Sequence, residues 1–180
     1  MATIKKVLGS LFLFVLIIGA SACNKEVVKE NGEEPIKEEN VIKVEEAEKL
    51  FRDYYTARYS IKDPANPPTF AEIADNVKEY LSEDEYDAQI LNRDYSKPSL
   101  VAKEINKSIV VQDVKLEEQS KNEDGTIDYT YTTEFKIYDE NSSKVYEKEG
   151  EATITTIDHE LKVTRDWSRG IKIDGLDGGY

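Results

Sequence analysis

The second half of the chain alternates apolar and polar side chains, a pattern typical of antiparallel strands with one buried face. The clearest stretch runs from Ile127 to Ile137, where Ile, Tyr, Tyr, Thr, Phe and Ile occupy every second position. Weaker alternation predicts strands over Ile109–Glu118, Val145–Ile157 and Leu161–Trp167. We therefore expect at least four long strands, with Gly150 marking a bulge or bend in the third.

Polar stretches separate these strands and predict turns, of which Asn122–Gly125 is the first. The second and third turns are predicted at Asp139–Ser143 and Asp158–Glu160. The alternation also predicts which residues of the first and last strands share one face. They are Val110, Val114 and Leu116 in the first strand, and Leu161, Val163 and Trp167 in the last.

The first half has the helical period instead. Over Val44–Ser60 the apolar and aromatic residues lie at offsets of 3, 6, 7, 10 and 11 from Val44, which predicts an amphipathic helix. The Thr69-Phe70-Ala71-Glu72 sequence is a capping box that begins a second helix, and Ser82-Glu83-Asp84-Glu85 begins a third. We expect the third helix to extend to about Asn92 and Pro98 to close the helical half.

Helices followed by long antiparallel strands predict an α+β fold, with N-terminal helices packed on a curved antiparallel sheet in a cone-like roll. The aromatic first helix (FRDYYTARYS), the capped short helix (LSEDEYDAQIL) and a last strand bearing Trp167 resemble the nuclear-transport-factor-2-like superfamily over about Ile42–Ser168. The resemblance implies a cone-shaped sheet around the first helix. That superfamily contains enzymes as well as binding and assembly modules, so fold alone assigns no activity.

The N-terminal residues follow a different pattern. Lys5 and Lys6 precede an unbroken apolar run at Leu11–Ile18, and four small residues then lead to Cys23. This order is typical of a secretory signal peptide. Its end resembles the lipobox of bacterial lipoproteins, with Ala20 where Leu is usual, which implies cleavage before Cys23 and lipidation of its thiol.

These patterns divide the chain into four parts. We predict a signal peptide at 1–22, a lipidated Cys and flexible acidic tether at 23–43, an α+β domain at 44–170 and a Gly-rich tail at 171–180. Lipid attachment would place the domain on the outer face of the bacterial cytoplasmic membrane.

Composition narrows the function classes. The 180 residues carry 24 basic and 37 acidic side chains, a formal charge of −13. Nucleic acid is not expected as a partner, because phosphate binding needs clustered Lys and Arg. One Cys excludes an internal disulfide and a Cys-based zinc cluster.

No catalytic constellation is evident, and we predict no metal site and no cofactor. The single His, His159, lies between two acids in a predicted turn, where an exposed structural role is expected. There is no nucleophile-elbow motif and no Gly-rich phosphate loop.

Two residue sets are candidate sites. The first is a set of tyrosines that would line the space between helix and sheet, either as core or as a small-ligand pocket with hydroxyls that orient the ligand. Its members are Tyr54, Tyr55, Tyr59, Tyr129 and Tyr131. The second set is Arg165, Trp167 and Arg169, which either packs on the first helix and pairs with acids or forms a partner-binding patch.

We therefore expect a membrane-anchored, extracytoplasmic, non-enzymatic binding or assembly module whose partner is an envelope protein. One alternative is a small-ligand carrier or an enzyme that uses the tyrosine-lined pocket. Another is an immunity or inhibitor lipoprotein that binds a cationic peptide through the acidic charge.

Overall fold

A computed structural model describes residues 42–176. The predicted signal peptide, the lipidated Cys23, most of the tether and residues 177–180 of the tail lie outside the described residues. Four α-helices come first, with a short 3-10 helix at Lys78–Tyr80 and another at Asp94–Ser96 between them, and four strands follow. The helices are α1 (Val44–Tyr59), α2 (Phe70–Val77), α3 (Glu83–Leu91) and α4 (Lys97–Ile105).

The four strands form one antiparallel sheet in the order β1-β2-β3-β4, so each strand pairs with its neighbour in sequence. They are β1 (Ser108–Lys121), β2 (Ile127–Tyr138), β3 (Ser143–Ile157) and β4 (Glu160–Ser168). The β3–β4 hairpin has a two-residue turn in which Asp158 and His159 both have positive φ, the backbone conformation that tight hairpins favour. The predicted α+β fold, with helices on a curved antiparallel sheet, is confirmed.

The core lies between α1 and the inner face of the sheet. In β2 the burial alternates without interruption from Ile127 to Tyr138, as the sequence pattern predicts. Three aromatic residues of α1 are fully buried against it: Phe51, Tyr54 and Tyr55. The ring of Phe51 stacks on that of Tyr55 with centroids 4.5 Å apart.

Both predicted helix caps form. The Thr69 hydroxyl accepts from the Glu72 amide at 3.3 Å, and the Glu72 carboxylate accepts from the Thr69 amide at 2.8 Å. Ser82 caps α3 by accepting from the Glu85 amide. Pro98 does not close the helical half, because it lies in the first turn of α4. Proline is well tolerated in a first helical turn, where its missing N–H has no partner to lose.

Side chains of α1 cover part of the free edge of β1. The Arg52 guanidinium donates to the Val114 carbonyl and the Glu48 carboxylate accepts from the Leu116 amide, each at 3.0 Å. Ile61, just after the helix, exchanges backbone hydrogen bonds with Ile109. These contacts satisfy edge groups that would otherwise be open to another strand.

Beta-bulges reset the alternation in two of the strands. In β1 the register slips at Gln112, so Val114 and Leu116 share the inner face with Ile109 and not, as predicted, with Val110. In β4 it slips at Thr164, because Thr153 and Ile154 of β3 pair with Arg165 and Val163. An extra residue in one strand exchanges the faces of everything beyond it.

Gly150 marks no register shift, since its pairing with Tyr131 continues unbroken through both strands. Its role is one of space. A Cβ at this position would collide with the ring of Tyr131 and the carbonyl oxygen of Trp167. Glycine therefore lets the Tyr131 ring cross the inner face of β3.

None of the helices within residues 42–176 combines the length and apolar character that a membrane span requires.

At the C-terminal end, Ile173 is buried and extends the core beyond the last strand.

Candidate functional site

The bulge at Thr164 turns Asp166 toward the core, where it meets Arg58 of α1. The Asp166 side chain is only 2% exposed, and its Oδ2 lies 2.8 Å from Nη1 of Arg58. The Arg58 residue is 7% exposed. A buried ion pair of this kind needs further hydrogen bonds to offset the loss of hydration of both charges.

Tyrosine hydroxyls supply those hydrogen bonds. The hydroxyl of Tyr131 donates to Asp166 Oδ1 at 2.8 Å, and that of Tyr54 lies 2.9 Å from Oδ2. Tyr55 lies 3.2 Å from the same carboxylate and also forms a short hydrogen bond with the hydroxyl of Tyr131. Arg58 in turn donates to the Tyr54 hydroxyl. The cluster joins α1, β2 and β4 around one carboxylate.

The electrostatics keep these tyrosines neutral. Burial raises the pKa of Tyr54, Tyr55 and Tyr131 well above the usual value, and the charge of Asp166 raises each further. Burial opposes the charge of Arg58, but the neighbouring Tyr54, Tyr59 and Asp166 raise its pKa overall. The hydroxyls are therefore donors to a fixed carboxylate, an arrangement suited to holding structure.

Residues of α3 form a second layer behind this cluster. Gln89 is buried, with its Oε1 3.1 Å from the Tyr54 hydroxyl and its Nε2 donating to Glu85 at 2.6 Å. Glu85 also accepts from the backbone amide of Asp166 at 3.3 Å. Burial raises the pKa of Glu85, and the nearby charge of Asp166 adds to that rise.

All five tyrosines of the first predicted set are at most 4% exposed. Tyr55 lies at the centre of the group, because its ring contacts those of Tyr54, Tyr59 and Tyr131 at centroid distances of 4.9–5.4 Å. Tyr129 lies farther along β2, where burial raises its pKa to about 12. The rings of all five tyrosines are part of the hydrophobic core, and this holds with or without a ligand at their hydroxyls.

A cavity of about 260 Å³ opens beside the ion pair, and we call it the Arg58 pocket. Lys148 borders it and is 5% exposed, with its Nζ 3.3 Å from the Tyr59 hydroxyl. Its lining residues come from α1, the α3–α4 turn, α4, β3, β4 and the segment that follows β4. They are Arg58, Tyr59, Asp94, Lys97, Lys148, Asp166, Trp167, Ser168 and Gly170.

Trp167 follows Asp166 and lies on the opposite face of the sheet, where 48% of it is exposed. The interpretation that it packs on the first helix, and the predicted face shared with Leu161 and Val163, are therefore wrong. The bulge at Thr164 is the reason. Trp167 ends a row of residues that pair across all four strands on this outer face: Glu117, Thr130, Glu151 and Trp167.

A groove of about 350 Å³ runs along this row, and we call it the Trp167 groove. Arg169 lines it, while Arg165 lies beside it and pairs with Glu151 at 3.2 Å. The second predicted set is thus brought together on one exposed face. The other lining residues are Lys115, Glu117, Thr130, Tyr131, Thr132, Glu149, Gly150 and Glu151.

His159 is exposed at the tip of the β3–β4 hairpin, away from either cavity's lining. No group of His, Cys, Asp and Glu with the spacing of a metal site occurs among residues 42–176.

Sequence reasoning missed Arg58, Asp166 and Gln89. The buried position of Arg58 could have been predicted, since it follows Tyr54 and Tyr55 at helical spacing and so falls on the apolar face of α1. The buried position of Asp166 could not, because strict alternation assigns it to the solvent-exposed face and only the bulge brings it inward.

Comparisons with solved proteins give similarities of fold at low identity. An IcmL-like type IV secretion system protein from Legionella pneumophila matches with a TM-score of 0.52 and 13% identity, over 73% of this chain and 96% of that one. A periplasmic fragment of TraM matches with a TM-score of 0.49 and 13% identity, over 72% and 98%. An Ntf2-like protein involved in plasmid conjugation matches with a TM-score of 0.45 and 8% identity, over 73% and 51%.

What this chain shares with the Legionella protein is its fold. No protein-family model and no curated protein sequence matches the chain.

Proposed function

We propose that the protein is a lipid-anchored, extracytoplasmic, non-enzymatic assembly module that binds a protein partner on the outer face of its sheet. The observation that carries the proposal is Trp167, a large aromatic residue left half exposed in a groove with Arg165 and Arg169 close by. Trp and Arg are the residue types most enriched at interface hot spots.

The interior supports a structural rather than a catalytic assignment. The Asp166 carboxylate is surrounded by an arginine and tyrosine hydroxyls, so both of its oxygens are already engaged as acceptors within the protein. The tyrosines stay protonated because burial raises their pKa, and a neutral phenol is a poor base or nucleophile.

The groove also indicates the chemistry of the partner. Glu151 is paired with Arg165 at 3.2 Å, whereas Glu117 and Glu149 line the groove without an ion-pair partner among residues 42–176. We propose an extended protein segment that places an apolar side chain on Trp167 and a basic side chain among the glutamates. Such binding weakens as salt screens the charges.

The wider setting rests on two further points. The fold similarity to a type IV secretion protein supports an envelope transport assembly as the source of the partner. The apolar run before Cys23 supports export and lipid anchoring, which would hold the domain at the outer face of the cytoplasmic membrane.

Site-specific photo-crosslinking in the native host tests the partner proposal. A photoreactive residue at Thr130, in the groove, should yield one discrete crosslinked species, and Trp167→Ala in the same chain should abolish it. Leu100→Ala is the matched control, because Leu100 is also an exposed large apolar residue and lies on α4, outside the groove. A species that persists in Trp167→Ala, or that is lost equally in Leu100→Ala, would contradict a groove-bound partner.

Anchoring is tested separately with an alkyne-labelled fatty acid. We expect label and membrane association in the native chain and loss of both in Cys23→Ser. Label retained by Cys23→Ser would contradict lipidation at this residue.

A further inference from the structure

The Trp167 groove crosses the strands of the sheet instead of running along them. One wall is the row that extends from Glu117 in β1 to Trp167 in β4. The opposite wall is the row two residues away along the chain in each case: Lys115, Thr132, Glu149 and Arg169. Tyr131 and Gly150 lie between the rows, and backbone forms the floor because the Tyr131 side chain packs inward and Gly150 has none. An extended chain laid across the strands therefore meets side chains on both walls.

The length of the groove sets a spacing in such a chain. Neighbouring strands lie about 4.8 Å apart, so the path from Trp167 in β4 across β3 and β2 to Glu117 in β1 covers about 14 Å. An extended chain rises about 3.3 Å per residue, and about four residues therefore cover the same distance. Side chains four residues apart in an extended chain lie on the same side of it, so both can face the sheet.

The acids of the groove differ in how far neighbouring cations already compensate them. Glu151 is ion-paired, and Glu149 lies opposite Arg169, whose backbone amide donates to the Glu149 carbonyl oxygen at 3.2 Å. Glu117 is exposed and has no ion-pair partner among residues 42–176. Lys115, two residues away in β1, lies 4.0 Å from a different carboxylate. Glu117 is therefore the acid at which a cation of the partner meets least competition.

We propose that the Trp167 groove recognises an extended segment with an apolar and a basic side chain four residues apart. The apolar side chain lies on the indole of Trp167, and the basic side chain reaches the carboxylate of Glu117. This inference rests on the function proposed above, because it takes a protein segment as the partner, and it adds the spacing that selects one segment from another. A spacing of three turns the basic side chain away from the sheet, and a spacing of two extends only about 6.6 Å, short of Glu117.

The fluorescence of Trp167 measures binding directly, because this residue is the only Trp of the chain and is half exposed in the groove. The full chain would be titrated at low salt with short peptides, acetylated and amidated at their ends, that contain one Leu and one Lys among Ser and Thr. The Lys stands two, three or four positions after the Leu, and the composition stays the same. We expect the four-position peptide to bind about threefold more tightly than the three-position peptide, the scale of one exposed ion pair. This preference should disappear at high salt.

Two glutamate variants locate the basic side chain. Glu117→Gln should bind the three-position and four-position peptides equally, because the carboxylate that distinguishes them is gone. Glu147→Gln is the matched control, since Glu147 is an exposed glutamate of β3 outside the groove lining, and it should preserve the preference. Both side chains are exposed, so folding should be retained. Loss of the preference in both variants would refute Glu117 as the contact, because the effect would then come from the overall charge.

The remaining outcomes separate the spacing from the groove partner itself. Equal binding of all three peptides, abolished in Trp167→Ala, would overturn the spacing and leave the proposed groove partner in place. Binding of none of them would overturn both, because no extended segment would then occupy the groove. Tighter binding after the Lys is replaced by Glu would overturn the choice of a basic side chain. Dimerisation of the chain that Trp167→Ala abolishes, without peptide binding, would assign the groove to a second copy and refute the proposal.

Discussion

Asp166 and Trp167 are neighbours in β4, yet each side chain lies in the environment that the other would favour. The carboxylate is 2% exposed on the inner face, and the indole is about half exposed on the outer face. Hydropathy alone predicts the reverse. The difference shows that the Thr164 bulge defines both the buried polar cluster and the exposed face that carries the Trp167 groove.

The two faces should respond very differently to truncation, and Asp166→Ala should have the largest effect. Removing the carboxylate leaves Arg58 buried without its counter-ion, which typically costs about 3–5 kcal/mol of the free energy of unfolding. Chemical denaturation measures it. The double variant Arg58→Met with Asp166→Leu should be much less destabilised than the two single losses combined. A loss below about 1 kcal/mol in Asp166→Ala, the range of exposed ion pairs, would contradict the buried pair.

Gly150→Ala should have the next largest effect. The added Cβ would collide with the Tyr131 ring on the inner face, and overpacking of this kind costs about 1–3 kcal/mol. Thermal unfolding measures the change. Thr132→Ala, at a neighbouring outer-face position, should leave the melting temperature nearly unchanged. Equal losses in the two variants would mean that the inner face is not crowded at Gly150.

Trp167→Ala should hardly change stability, although it removes the largest side chain of the last strand. Half of the indole already contacts water, so we expect a loss of about 1 kcal/mol or less. Denaturation of this variant beside Asp166→Ala gives the sharpest contrast between the faces. A loss as large as that of Asp166→Ala would show that Trp167 is part of the core.

The smallest expected effect is on how the stability of the folded chain depends on pH. Burial raises the pKa of Glu85 in the folded chain, so the folded state holds this proton more tightly than the unfolded one. The contribution of Glu85 to stability is therefore full below its ordinary pKa near 4.5 and is lost as pH rises through its raised value. The slope of the denaturation midpoint against pH across this range should be more positive in Glu85→Gln than in the native chain. An unchanged slope would contradict a buried Glu85.

The sequence predicted the regular parts of the molecule well. The alternation in β2 and the capping boxes at Thr69 and Ser82 each follow from local rules that the structure obeys. The errors arose where one residue changes the rule. Pro98 lies within a helix because a first turn tolerates it, and the bulges at Gln112 and Thr164 exchange the faces of the residues that follow.

Whether a candidate site could be predicted depended on the same distinction between regular and bulged segments. The tyrosines on the inner face could be placed from periodicity, since α1 and β2 are regular. The carboxylate that joins them could not, because nothing in Arg165-Asp166-Trp167 distinguishes a bulged strand from a regular one. Pairing with β3 determines which face Asp166 occupies, and pairing is a tertiary property.

Quenching of the single tryptophan tests the exchange of faces most directly. Acrylamide should quench the fluorescence of Trp167 in the folded chain efficiently, with an emission maximum close to that of the denatured chain. Deleting Thr164 should remove the bulge and leave Trp167 opposite Glu151 on the outer face, so the indole should stay quenchable, provided that circular dichroism shows the fold retained. A blue-shifted, weakly quenched Trp167 in the native chain would place the indole in the core and contradict the account.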